Sequence, residues 1–407
     1  MTEPTARYPM SGFEFVAFIA ALMAVNALGV DLMLPALADI GRDLAIVTAN
    51  DRQWIVTAYI FGFGIGQIFY GPLADRFGRK PVVVVALLCF VGAAAFAAHS
   101  ASFAALLGAR VLQGLTSAAS RVLSVAIVRD RFSGRQMART LSVAQTIFFV
   151  FPILAPTLGS LVLAFGPWRL IFYALAGYTL VVLLWTLLRF AETLPRARRI
   201  PISWPSLRQS YRLTLTDRFS LGYAVSSALT FGGIVAFVSS SQQIFVDEFH
   251  AGGKFTILFA VCAFSMGCAA FANSRLVERP GMRLISQSAV FGLIALSLVH
   301  VAIIASGHES LATYIVFQAL SMTCIALCGS NFGAMAMERV GHIAGTASSV
   351  QGFIASVGAV VVAAVIGQSY DGTTLPLALG YLSIGVVALG LILWIEGGRL
   401  FQARAGA

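Results

Sequence analysis

Residues Gly71–Lys80 read GPLADRFGRK, and a second stretch 203 positions later, Ser274–Arg283, reads SRLVERPGMR. Leu73 recurs as Leu276, Asp75 as Glu278, Arg76 as Arg279, Gly78 as Gly281 and Lys80 as Arg283. The interval is almost half of the 407 residues, and both copies sit between long apolar runs. Charges such as Asp75, Arg76, Arg79 and Lys80 are costly in hydrocarbon, so two membrane helices must meet water here. Pro72 and Pro81 oppose one continuous helix through the turn, and Gly71 and Gly78 permit close approach and unusual backbone angles. A duplicated membrane bundle is the simplest architecture that produces such a repeat.

Composition agrees. Hydrophobic residues make up 58% of the chain and charged residues 11%, with mean hydropathy +0.87. Soluble domains carry about 25% charged residues, so this chain is built for a bilayer. A spanning helix needs about 20 mostly apolar residues. Twelve spans are expected, at 13–37, 51–72, 81–99, 102–127, 140–165, 168–190, 218–246, 255–276, 284–305, 310–333, 343–368 and 375–398. The expected fold is therefore an all-α membrane protein of twelve transmembrane helices in two pseudo-symmetric six-helix halves. Residues 1–190 form the first half and 218–407 the second. The basic, proline-containing stretch 191–217 reads as a cytoplasmic linker.

The net charge of +10 reflects topology more than an appetite for polyanions. Of 27 Lys and Arg residues, 21 fall in alternate loops or termini. Four (Arg42, Arg52, Arg169, Lys254) fall in the opposite loops, and Arg110 and Arg121 lie within a span. Positive charge concentrates on the cytoplasmic side, which puts both termini there. No nucleic-acid partner is expected. The five cysteines lie in apolar segments without histidines at zinc-site spacing, so they read as buried free thiols. Residues 1–12 lack the basic region of a cleavable signal. No HExxH, GxxxxGK[ST] or GxSxG segment stands in a suitable context, so neither an enzyme nor ATP hydrolysis is expected.

Polar residues inside the spans mark the working parts. Asp31 is the one carboxylate well inside an apolar run of the first half, with Asn26 five residues earlier. In span 4, Arg110, Gln113, Gly114, Ser117, Arg121 and Ser124 fall on one helical stripe that must face other helices or a wet cavity. The depths of Arg110 and Asp31 allow a direct or water-bridged ion pair. Arg121 is deeper and leaves two roles open, an anionic substrate group or a tether for the loop at 129–139. Gln145, Gln242, Gln318 and Gln351 are neutral hydrogen-bonding candidates for the pathway, alongside Asn26, Gln113, Ser117 and Arg121. Gly62, Gly64 and Gly66 suit close helix packing, and Pro152 and Pro156 suit kinks.

With these motifs in view, the chain resembles the major facilitator superfamily, and within it the twelve-helix drug:proton antiporters nearest the bicyclomycin and chloramphenicol-resistance subfamily. GPLADRFGRK is similar to the signature loop between helices 2 and 3, and LLGARVLQG, Leu106–Gly114, to the helix 4 motif. Asp31 followed by LMLPAL, AIVRDRF after span 4, and Ala344–Phe353 also resemble this subfamily. APTLGS, Ala155–Ser160, matches the exporters' helix 5 motif in part, through Pro156 and Gly159. The resemblance implies proton coupling through Asp31 and Arg110. It also implies a conformational latch at Gly71, Asp75, Arg76, Gly78 and Arg79, with Glu278 as its counterpart. The implied activity is export of small drug-like molecules in exchange for protons, by alternating access in a bacterial-type inner membrane. Uptake of a metabolite is the alternative, since fold does not fix direction; a membrane receptor or enzyme is a remoter one. The expected partners are substrate, protons and lipid, with a monomeric chain. No cofactor is expected, the proton gradient supplying the energy.

Overall fold

The computed structural model describes residues 10–201 and 204–401, and among these it is helical throughout, with no strand. The first half contains α1 (Gly12–Asp31), the short α2 (Leu37–Asp43), α3 (Trp54–Phe77), α4 (Arg79–Ala98), α5 (Phe103–Arg131), α6 (Gly134–Leu163) and α7 (Arg169–Arg189). A connecting segment carries α8 (Trp204–Thr216). The second half contains α9 (Arg218–Gln242), α10 (Phe255–Leu276), α11 (Gly281–Ala305), α12 (Leu311–Met337), α13 (Ala344–Gln368) and α14 (Leu375–Glu396). Among the described residues, eleven segments are long and apolar enough to cross a membrane; α6 completes the twelve, its described apolar stretch Val150–Leu163 being shorter.

Local chemistry explains the boundaries. Ser11, Ser102, Ser310 and Asp217 each accept a backbone N–H three residues on, at 3.1, 3.2, 3.2 and 2.7 Å, which starts α1, α5, α12 and α9. The first span is not the unbroken helix expected at 13–37. It stops at Asp31 and turns through a 3₁₀ segment, Leu34–Ala36, before α2. Pro35 has no N–H to continue the ladder, which accounts for the break. Span 7 likewise ends early, α9 passing into a π-helical turn at Gln243–Glu248. The segment between α7 and α9 is not simply extended, since it holds α8 against α9 and α13.

The repeat is visible in the packing. In the first half α3 packs on α5, α4 on α5 and α7, and α1 on α5, α6 and α7. In the second half α10 packs on α12, α11 on α12 and α14, and α9 on α12, α13 and α14. Each contact in one set has its counterpart in the other. The halves meet through α3 against α13 and α6 against α10, again an equivalent pair. The two loop glycines are equivalent as well, Gly78 at φ +100° and Gly281 at φ +81°. Large apolar side chains such as Leu188, Phe264 and Val365 remain exposed on helix surfaces, where acyl chains would cover them.

Candidate functional site

The tightest helix pair positions the polar stripe. A Cβ on Gly114 would stand 1.8 Å from the Tyr59 carbonyl oxygen, and one on Gly62 2.0 Å from that of Val111. Glycine at these points lets α3 and α5 touch backbone to backbone. Arg110, wholly buried, then reaches across both neighbours. Its guanidinium donates to the carbonyls of Gly29 (2.8 Å) and Ile55 (3.1 Å) and to Gln113 Oε1 (2.9 Å). It also lies 4.5 Å from the ring centroid of Tyr59. Tyr59 in turn donates to Asn26 Oδ1 at 3.3 Å, and Ser117 donates to the same oxygen at 3.3 Å.

Asp31 is buried at the last residue of α1, two positions beyond the carbonyl that Arg110 holds. The two side chains do not form the direct ion pair that their depths allow: Arg110 is absent from every ion pair among the described residues. The reason lies in the helix end. Where α1 stops, its last carbonyls lack helical donors, and the guanidinium takes one of them. Gly159 fixes α6 against the same turn, since a Cβ there would stand 2.0 Å from the Leu32 carbonyl oxygen. Pro152 and Pro156 both lie within an unbroken α6.

Polar contacts between the halves close one end of the bundle, called here the Asn50 end. Arg52 donates to Gln242 Oε1 (3.2 Å) and pairs with Asp247 (3.0 Å), while Gln53 donates to Gln243 Oε1 (2.6 Å) and the Gly367 carbonyl (3.0 Å). Asn50 donates to the Tyr370 carbonyl at 2.8 Å, and Gln368 to the Asn50 carbonyl at 3.1 Å. Gln242, expected along the pathway, belongs to this closure. Gln318 instead ties α12 to α14 through the Tyr381 hydroxyl at 2.9 Å. Neither residue lines the two larger cavities. The side chain of Gln145 lies outside those described.

The opposite end, marked by Gly78, is open. A cavity of about 570 Å³ there is bounded by α3, α5, the segment before α8 and the start of α13, with Gln67, Gly71, Asp75, Arg79, Arg121 and Ser348 on its wall. A second, of about 480 Å³, lies among α9, α10, α12 and α13 and holds Gln351 and Ser348. Gln351 donates to Ser220 Oγ (3.0 Å) and the Ala336 carbonyl (2.9 Å). Gln67 crosses between the halves to the Gly352 carbonyl (3.2 Å) and Ser356 Oγ (2.9 Å).

At the Gly78 turn, Arg79 is buried and pairs with Asp75 (2.7 Å) and Asp130 (2.9 Å). Glu192 accepts the backbone N–H groups of Arg79 (2.9 Å) and Lys80 (3.2 Å) at the start of α4. Arg76 stays exposed beside Phe77, and Gly71 faces Ser349 of α13. In the second half, Arg283 pairs with Glu338 and Glu396, each at 2.9 Å, and Tyr223 donates to Glu396 at 2.6 Å. Glu278 has no place in that network. It sits exposed in the turn after α10, with no ion pair among the described residues. Sequence reasoning missed Tyr59, Gln67, Asn50, Gln53, Glu192, Glu338 and Glu396. A tyrosine within an apolar run and acids just past the ends of spans were the available signals.

The sequence matches the Major Facilitator Superfamily over residues 19–363. It is 32% identical over 348 residues to the uncharacterized MFS-type transporter YdgK of Bacillus subtilis, covering 83% of this chain and 85% of the relative. It is 29% identical over 365 residues to the bicyclomycin resistance protein homolog of Haemophilus influenzae, covering 89% of this chain and 91% of the relative. The crystal structure of a D-xylose–proton symporter is similar with TM-score 0.74 at 13% identity, over 95% of this chain and 98% of that one, a likeness of fold alone. Family match, repeat and helix packing agree, and the chain belongs to the Major Facilitator Superfamily of membrane transporters.

Proposed function

We propose that the protein exports small drug-like organic molecules in exchange for protons. The halves 1–190 and 218–407, joined by 191–217, would rock about the central cavity with both termini in the cytoplasm. The observation that carries this reading is the buried Asp31, set at the end of α1 two residues beyond the Gly29 carbonyl that accepts from the Arg110 guanidinium. The drug-resistance name of the Haemophilus influenzae relative supports the substrate class. Burial favours the neutral form of a carboxyl, and a nearby cation favours the charged form. A rearrangement that moves Arg110 from the Gly29 carbonyl toward Asp31 therefore changes proton affinity, as an antiporter needs. With the Asn50 end sealed and the Gly78 end open, the conformation is the one that accepts substrate from the cytoplasm.

Everted vesicles carrying a proton gradient test this over a panel of small drug-like molecules, anionic, neutral and cationic. Substrate is expected to collapse the gradient with wild-type protein, whereas Asp31→Asn is expected to abolish that response and leave expression intact. A mutant that still couples would remove Asp31 from the mechanism. A gradient that drives substrate the other way would make the protein an importer.

A further inference from the structure

We infer that Arg121 is a specificity-determining residue, selecting amphiphiles that carry an anionic group over neutral and cationic ones. The inference rests on the transport reading above and names the substrate class of that cavity. Arg121 lies on α5 ten residues before Arg131, roughly 15 Å along the helix, and it lines the open cavity. Arg79 and Arg129 line the same cavity, against a single carboxylate in the described lining, Asp75. That carboxylate is already bonded to Arg79 at 2.7 Å. The neighbouring cavity meets the first at Ser348 and has no charged residue in its described lining. Asp31, the carboxylate inside the first half, lines neither.

The charge on the wall is thus positive in excess, and low-dielectric walls focus its field. A cationic molecule entering here meets no free carboxylate among the lining residues. A carboxylate or sulfonate can instead engage the planar donor fork of Arg121. Phe231, Ile234 and Met266 in the second cavity offer an apolar, adaptable surface for the rest of the molecule. The first cavity therefore suits an anion and its neighbour a hydrocarbon or aromatic body. Arg121 falls on the α5 stripe that also carries Arg110.

Three probes of one shape test the inference: naphthalene-2-sulfonate, naphthalene-2-sulfonamide and the 2-naphthyltrimethylammonium ion. Binding to purified full-length protein is read by thermal shift and intrinsic fluorescence, and transport by uptake into everted vesicles. The sulfonate is expected to bind best. Arg121→Gln is expected to weaken it by about tenfold, the scale of one charge-assisted hydrogen bond, with less than about twofold change for the sulfonamide. Arg121→Lys, which keeps the charge without the fork, is expected to fall between. Equal loss for sulfonate and sulfonamide, no loss for either, or preferred binding of the ammonium probe would overturn the assignment. Arg121-dependent binding without uptake would leave it standing and sink the export reading instead.

Discussion

Tyr59 shows how much rests on single side chains in this bundle. Its ring faces the Arg110 guanidinium, its hydroxyl holds Asn26, and its carbonyl leaves no room for a side chain at position 114. Gly114→Ala is expected to force α3 from α5 and cost about 1–3 kcal/mol, seen as a lower melting temperature in detergent. Tyr59→Phe keeps the ring and loses only the hydroxyl, so a loss of about 1 kcal/mol is expected in the same assay. Were Phe neutral there, the Asn26 bond would have no energetic weight. The stripe of Arg110, Gln113, Ser117 and Arg121 was legible from spacing alone. Tyr59 was not, because no periodicity tells which aromatic of the run Tyr59, Phe61 and Phe63 turns toward α5. Phe61 in fact faces outward.

At the scale of elements, the two loop turns use one plan with different residues. Each has a glycine with positive φ, and each has an arginine paired with an acid at the end of a neighbouring helix: Asp130 in the last turn of α5, Glu338 just after α12. A Cβ at Gly78 would also stand 2.4 Å from Glu192, so substitution there suffers both strain and collision. Glu192→Ala removes the acceptor at the start of α4 and is expected to cost about 1 kcal/mol. Hydrogen exchange should then quicken at Arg79 and Lys80 and stay unchanged in α12. In the second half, Glu396→Gln is expected to destabilise by about 3 kcal/mol, because Arg283 and Glu396 are mostly buried. Glu278→Gln is expected to leave the melting temperature unmoved. Equal effects of the two substitutions would reverse the roles assigned to these acids.

Across the whole molecule, the Asn50 end is held shut by side chains from both halves, while the Gly78 end opens onto the cavity. Arg52→Ala combined with Gln53→Ala removes the Asp247, Gln242, Gln243 and Gly367 contacts together. Spin labels at exposed Val47 and Thr373, in a cysteine-free background, should then show a longer-distance population that the parent protein lacks. An unchanged distance distribution would mean that apolar packing between α3 and α13 alone holds the closure.

Bilayer solvation makes much of this protein readable from the chain. Apolar runs must be helices, charges must mark their ends, and a duplicated loop must mark duplicated halves, since hydrocarbon tolerates little else. The span count, the repeat and the Arg110 stripe follow from that constraint. Partner choice follows no such rule. Arg110 bonds carbonyls and not Asp31, Gln242 joins a closure, Gln318 ties α12 to α14, and Arg283 pairs with Glu338 and Glu396 and not with Glu278. Each of these pairings depends on where helices distant in sequence come to lie and which way a side chain turns between them, and hydrogen bonds act over about 3 Å, far below the resolution of a hydropathy pattern.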